Sequence, residues 1–436
     1  MCAASKRIMY TSVLPSTSHW NDLPADPSFD GSIALLFTEG YCFVTNRARR
    51  LDSDIFRTRM FLRKAICTYG SEAAEQFYSP GRFTRRGALP LFALALIQDL
   101  GSVMVLNDED HRRRKAMFME MMSPEALANI GELTTKHWRK SVNAWQNRAR
   151  VELFREAHIP LTAAICEWAG LRPQAWEIRL RAREFEAMVD GTGSIGPRNW
   201  RGHWMRASTE SWARQVIRKV RRGEITVPEN SPVDRICTFR NSAGKLMDVH
   251  SAAVELLNVL RPSVAIARYA AFIAMALHDY PIWRERLGGS DEYLGMFVDE
   301  VRRYYPFIPI IGGRVLKEFH WRGHDFTKDE WVLFDIYGTN QDPRIWGDPH
   351  NFRPERFSER SFGPYDLVSH GAGDRHVTHR CPGEWITVEL MKAITRCLAR
   401  EMQYEVPAQD LSIDYSRIPA LPNSGFVLTR IRPKLG

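Results

Sequence analysis

Cys381 stands in the stretch HRCPGEWITVEL (379–390), with His379 and Arg380 before it and a Pro-Gly turn after it. The turn leads into EWITVELMKAITRCLAREM, where apolar residues at 386, 390, 394 and 398 recur at the spacing of one helix face. The thiol therefore precedes a helix N-terminus, whose positive end, together with the adjacent cations, favours thiolate. A thiolate is a metal ligand or a nucleophile. An isolated cysteine is more often simply buried, so the neighbours must decide.

Arg261 is the second unusual placement. It lies in NVLRPSVA, within a stretch from about 248 to 278 that reads as one long helix, with apolar residues at 249, 253, 256, 257, 260 and 264. A cation on or beside that apolar face is costly unless it has a partner. Glu255 or Asp299 could pair with it inside the protein, and so could the carboxylate of a ligand. Pro262 cannot donate the bond that the carbonyl of Asn258 needs, so the helix should kink or open there.

Two further stretches carry charges in a fixed order. DEVRRYYPF sets Glu300 and Arg303 three residues apart on one helix face, and FRPERF supplies Arg356 some fifty residues later. An acid–base pair at that spacing is usually a solvated surface feature. It gains meaning only from its order in the chain, ahead of the glycine-rich HGAGDRHVTHRCPG around Cys381.

The elements around these residues are mainly helical. From about 71 to 225, segments such as DEDHRRRKAMFMEMM and SPEALANIGELTTKHWRKSVNAWQ show three- and four-residue apolar spacing, and Ser123-Pro124-Glu125 is a good helix start. Strand candidates are few: IALLFTEGYCFVTN, RVLKEFHWRGHDF, EWVLFDIYG and SGFVLTRI. The expectation is a mainly α protein in a single unit over 1–436, with a small β-rich region drawn mostly from 30–70 and 305–335.

The chain has 436 residues, 44% hydrophobic and 25% charged, a globular composition. Lys plus Arg number 60 against 51 acids, so the surface favours anions. The arginines are scattered, and nucleic-acid binding is not expected. ALPLFALALI and YAAFIAMAL are about half the length of a bilayer span, so no integral membrane span is expected. The first twenty residues show neither a signal-peptide core nor an anchor. Seven dispersed cysteines suggest no disulfide frame and a reducing cytoplasm.

Taken together, the E-x-x-R pair, the P-E-R-F arginine and the loop around Cys381 resemble the heme-thiolate cytochrome P-450 superfamily. That resemblance implies the superfamily's fold, with a long kinked distal helix over heme b, and Cys381 as proximal iron ligand. It implies Glu300, Arg303 and Arg356 as a structural triad bracing the loop. Cations for the heme propionates are implied at His111 and Lys115, one helical turn apart, at His379 and at Arg85. Each of these could equally be a solvated charge.

The acid and alcohol pair that ordinary monooxygenases of this superfamily carry on the distal helix is missing, and Arg261-Pro262 stands in its place. This resembles the fatty-acid peroxygenase subfamily, as do MVDGTGSIGPRNW, VRRYYPF and YGTNQDPRIWGDPHNFRPERF. The implied activity is hydrogen-peroxide-dependent oxidation of medium- to long-chain fatty acids at the α and β carbons, without an obligatory redox partner. Arg261 and Pro262 are the implied catalytic pair, the substrate carboxylate serving as acid–base. Met104 occupies a distal position often held by His or Gln in this subfamily. Its thioether cannot relay protons, so hydroxylation with some decarboxylation to terminal alkenes is favoured. Phe307, Ile308 and Ile310 are expected beside the substrate. The rival readings are a reductase-dependent monooxygenase and a non-catalytic heme sensor.

Overall fold

The computed structural model describes residues 20–97 and 101–434. Residues 1–19, with Cys2 and nearly all of the segment read for a signal, lie outside them.

Helices dominate. The largest hydrophobic cluster is built from Leu153–Trp168, Val249–Ala265, Ala267–Asp279 and Glu384–Arg396, with Trp138, Phe185, Leu256 and Phe272 among its buried residues. Ser123 caps Pro124–Trp145 as its sequence suggests, accepting from the Ala126 amide at 3.2 Å.

A five-stranded sheet runs in the order Ile55–Met60, Arg63–Thr68, Trp331–Asp335, Ile310–Val315, Phe83–Thr84. Arg63–Thr68 pairs parallel with Trp331–Asp335, and the other neighbours are antiparallel. Phe77, Phe83 and Phe334 pack on it in a second cluster. Val427–Pro433 forms a smaller sheet with Val151–Glu152 and Met402–Glu405.

Two expectations need correction. IALLFTEGYCFVTN is not a strand; it forms short helical turns followed by the Phe43–Leu51 helix. A short apolar run does not distinguish strand from helix, and Asp30, accepting from the Ser32 amide, starts a helical turn just before it. The strands of the 30–70 region lie instead at Ile55–Met60 and Arg63–Thr68.

The break in the distal helix is also displaced. Val249–Ala265 continues through Pro262 and is interrupted at Ile266, one turn later, before Ala267–Asp279 resumes. The Ser263 hydroxyl donates to the Val259 carbonyl at 2.9 Å, a side-chain bond inside the helix just after the proline. The whole Val249–Asp279 stretch is long and apolar enough to cross a membrane, but 89% of its most apolar window is buried inside the fold. It is the core helix here.

Candidate active site

Cys381 sits at the end of a loop pinned from both sides. Its amide donates to the His370 carbonyl at 2.8 Å, and helix Glu384–Arg396 begins three residues later with Gly383 as N-cap. Gly373, at φ +77°, makes the turn before the cysteine, where a Cβ would also meet Thr378 at 2.9 Å.

The cations near Cys381 do not all face it. Arg380 is closed on Glu384, with Nε at 2.7 Å and Nη2 at 3.0 Å. Arg302 reaches the same carboxylate at 2.6 Å, and these partners hold Glu384 well below the ordinary carboxylate range despite its burial. Burial pushes the Cys381 thiol up, outweighing the Gly383 amide and the Lys115 charge that pull it down. The lowered thiol expected from the helix dipole is therefore not a property of the protein alone. Coordination deprotonates a thiol outright.

Behind the loop, Glu300, Arg303 and Arg356 meet as one buried cluster. Arg303 Nε and Nη2 grip the Glu300 carboxylate at 2.7 and 2.8 Å, and Arg356 Nε approaches it at 3.2 Å. The Arg353 amide donates to the same carboxylate at 2.8 Å. The remaining donors turn outward to chain carbonyls: Arg303 to Asn340 at 3.0 Å, Arg356 to Trp346 at 2.7 Å and to Asp348 and Asn351 at 2.9 Å. One carboxylate thus ties helix Leu294–Tyr304 to the meander that precedes the Cys381 loop.

On the other side of the loop the four expected cation positions converge. The rings of His111 and His379 lie 4.1 Å apart. Lys115 donates to the carbonyls of Thr378 and Arg380. Arg85 lies 4.0 Å over the Phe77 ring. Arg85, His111 and His379 line one polar cavity of about 60 Å³. Burial pulls all four below their ordinary values, His379 to about 2, His111 to about 4, Lys115 to about 8 and Arg85 to about 10.

Among the described residues no carboxylate forms an ion pair with these four, and Arg85 Nε is buried without a hydrogen-bond partner. Two buried cations, Arg85 and Lys115, beside two imidazoles that burial keeps neutral and able to donate hydrogen bonds, suit a dianion. A thiol ahead of a helix beside a dianion-binding cluster fits a heme, with sulfur to its iron and cations to its propionates.

Arg261 lies on the distal helix, only 3% exposed. Its Nη2 donates to Asn258 Oδ1 at 3.2 Å. The two carboxylates considered as partners are engaged elsewhere: Glu255 with Arg114 at 2.8 Å, and Asp299 with Arg302 at 2.7 Å. Glu255 also accepts from the Val103 amide at 2.7 Å and from Asn258 at 2.9 Å. It thereby ties the distal helix to the turn Val103–Val105, which carries Met104, and to helix Asp108–Glu120, which carries His111 and Lys115.

The three expected substrate neighbours have different surroundings. Phe307 stacks on Tyr269 at 4.6 Å, and Ile310 opens a strand against Asp335, while Ile308 keeps 40% of its surface uncovered by other residues. Sequence reading passed over Asn258 and Arg114. For Asn258 the signal was present, because 255, 258 and 261 recur three residues apart along one side of the helix; for Arg114, 141 residues from Glu255, there was none.

A cytochrome P450 family model matches residues 291–428. Among solved structures, cytochrome P450SP alpha in complex with (R)-ibuprophen is 39% identical, with TM-score 0.90 over 93% of this chain and 99% of that one. Ligand-free cytochrome P450 OleT is 32% identical, with TM-score 0.92 over 95% of this chain and 100% of that one. Curated relatives align over less: cytochrome P450 4e5, mitochondrial, of Drosophila mettleri is 31% identical over 119 residues, 27% of this chain and 22% of the relative. Flavonoid-6-hydroxylase of Mentha piperita is 29% identical over 156 residues, 33% of this chain and 29% of the relative. The matched part is thus under a third of those curated relatives' length. Sulfur loop, buried triad, cation cluster and whole-chain likeness agree: the chain belongs to the cytochrome P450 superfamily and, within it, to the fatty-acid peroxygenase subfamily of heme-thiolate enzymes.

Proposed function

We propose that this protein uses hydrogen peroxide to oxidise free medium- to long-chain fatty acids at the α or β carbon, mainly by hydroxylation with some decarboxylation to terminal alkenes. The observation that carries the reading is a guanidinium, Arg261, buried to 3% exposure on an apolar helix. A structure of a variant of the related OleT contains arachidonic acid, which supports a fatty acid as ligand.

Cys381 would supply the sulfur ligand of heme b, and Arg85, His111, Lys115 and His379 would hold its propionates. When bound, the heme supplies the iron centre at which peroxide is activated for oxygen transfer to carbon. Arg261 holds the substrate carboxylate by charge-assisted donors, so only the nearest carbons of the alkyl chain come within reach. Pro262 leaves the turn at Asn258 without an amide donor, in the stretch where other members carry their acid and alcohol. The carboxylate on Arg261 supplies the acid–base group instead. Met104 moves no proton, which favours hydroxylation over alkene formation.

Peroxide brings both oxygen and oxidising equivalents, so no redox partner is required. The catalytic unit proposed is the single domain 1–436. A cytoplasmic setting is supported by the six free cysteines among the described residues.

The test is incubation with acids of roughly ten to twenty carbons and peroxide, without reductant, followed by gas chromatography. Hydroxy acids are the expected main products. Turnover that required a reductase and a nicotinamide would overturn the reading.

A further inference from the structure

The tip of the first hairpin is strained and apolar. Phe61 and Leu62 join Ile55–Met60 to Arg63–Thr68 with φ of 52° and 62°. Bulky residues adopt such values at a cost, and two-residue turns of this kind favour Asn-Gly. Asp30 offsets part of it by accepting from the Leu62 amide at 2.5 Å and the Phe61 amide at 3.3 Å. Leu62 nevertheless leaves 70% of its surface exposed. A strained turn that presents a large apolar side chain to solvent points to a surface contact.

The same edge continues through neighbouring segments. The Phe61 ring meets Phe92 at 5.8 Å, beside the exposed Leu91. The Phe92 carbonyl accepts from Asn199 at 3.3 Å and His203 at 3.1 Å, both on helix Pro197–Arg221. The adjoining side of that helix presents Trp200 and Trp204, 68% and 75% exposed and one turn apart. Ile33, on the helical turn capped by Asp30, is also exposed.

Cations flank this apolar brow. Next to the hairpin tip a groove of about 540 Å³ is lined by Arg63, Lys64, Arg314 and Lys328, with Trp20 and Trp331. Its acids are Asp329 and Glu330, and Glu330 is already engaged by the Thr327 amide and His324.

We infer that this face docks the protein reversibly on an anionic phospholipid surface. Tryptophans and aliphatic side chains enter the headgroup boundary, and the groove cations meet lipid phosphates. The attachment is peripheral, because the one helix among the described residues long enough to span a bilayer lies in the core. If the function proposed above holds, the same surface is where the alkyl substrate is collected.

The test is co-sedimentation of the full-length heme protein with vesicles of phosphatidylcholine alone or mixed with phosphatidylglycerol. Binding to the mixed vesicles is expected, weaker to the neutral ones and reduced by salt. Trp200→Ser with Trp204→Ser should weaken it at least about tenfold, the loss expected when two interfacial aromatics go. Leu62→Gly should also weaken it without lowering the melting temperature, since glycine accepts the left-handed turn. Absence of binding by the parent, or unchanged binding in both variants, would overturn the inference. So would a concentration-dependent dimer of the parent that the double variant loses. The readout needs no turnover, so a failure of fatty-acid oxidation is seen separately.

Discussion

Asn258 bridges two buried charges: its amide donates to Glu255 at 2.9 Å, and its carbonyl oxygen accepts from Arg261 at 3.2 Å. Glu255 is in turn held by Arg114 and the Val103 amide. The guanidinium assigned to the substrate carboxylate is therefore oriented by a chain of groups that starts on the helix carrying His111 and Lys115.

Asn258→Ala removes that bridge while leaving Arg261 in place. Losing one charge-assisted hydrogen bond costs about 1–2 kcal/mol, so fatty-acid Kd should rise roughly 5- to 30-fold. Optical titration of the heme band with fatty acid measures it. An unchanged Kd would mean that Asn258 does not orient Arg261.

Among the described residues, Glu300 is the sole carboxylate between Arg303 and Arg356 in their buried cluster. Glu300→Ala leaves two cations desolvated together. Breaking a buried pair in this way costs roughly 3–5 kcal/mol. Thermal melting should show a large drop and purification a low heme content, whereas a surface pair would leave both nearly unchanged.

Asp335 gives a pH-dependent outcome. Burial raises its carboxyl from 3.8 to about 8, opposed only by the Gly338 amide. One carboxyl oxygen is buried without a partner, as befits a protonated acid. Between about pH 4 and pH 8 the unfolded chain gives up a proton that the folded protein keeps, so this residue lowers stability as pH rises through that window. Asp335→Asn keeps an acceptor for Gly338 and stays neutral. It should match the parent near pH 4 and melt higher near pH 8. Parallel melting curves across that range would show that Asp335 is ionised in the folded state.

The site was more legible in the sequence than the fold's β region. Cys381 before a helix, and the E-x-x-R pair with its distant arginine, are local patterns tied to charge and helix geometry, and the structure brings those residues together. The short apolar run at 33–37 fits either period, and what decides it is a cap at Asp30 whose carboxylate also holds the hairpin tip. The hairpin escaped because its turn has neither glycine nor asparagine. Long-range pairings such as Arg114 with Glu255 leave no local trace. The break at Ile266, one turn beyond Pro262, is not marked by the proline itself.

The central claim is that a substrate carboxylate on Arg261 supplies the acid–base group for peroxide activation. It is tested most directly by giving the parent and Arg261→Ala a fatty acid and its methyl ester, with peroxide and no reductant. The expected result is oxidation of the acid by the parent alone, with Arg261→Ala losing roughly 2–5 kcal/mol in engaging the acid and the ester left unoxidised by both. Oxidation of the ester at a comparable rate, or full turnover of the acid by Arg261→Ala, would contradict it.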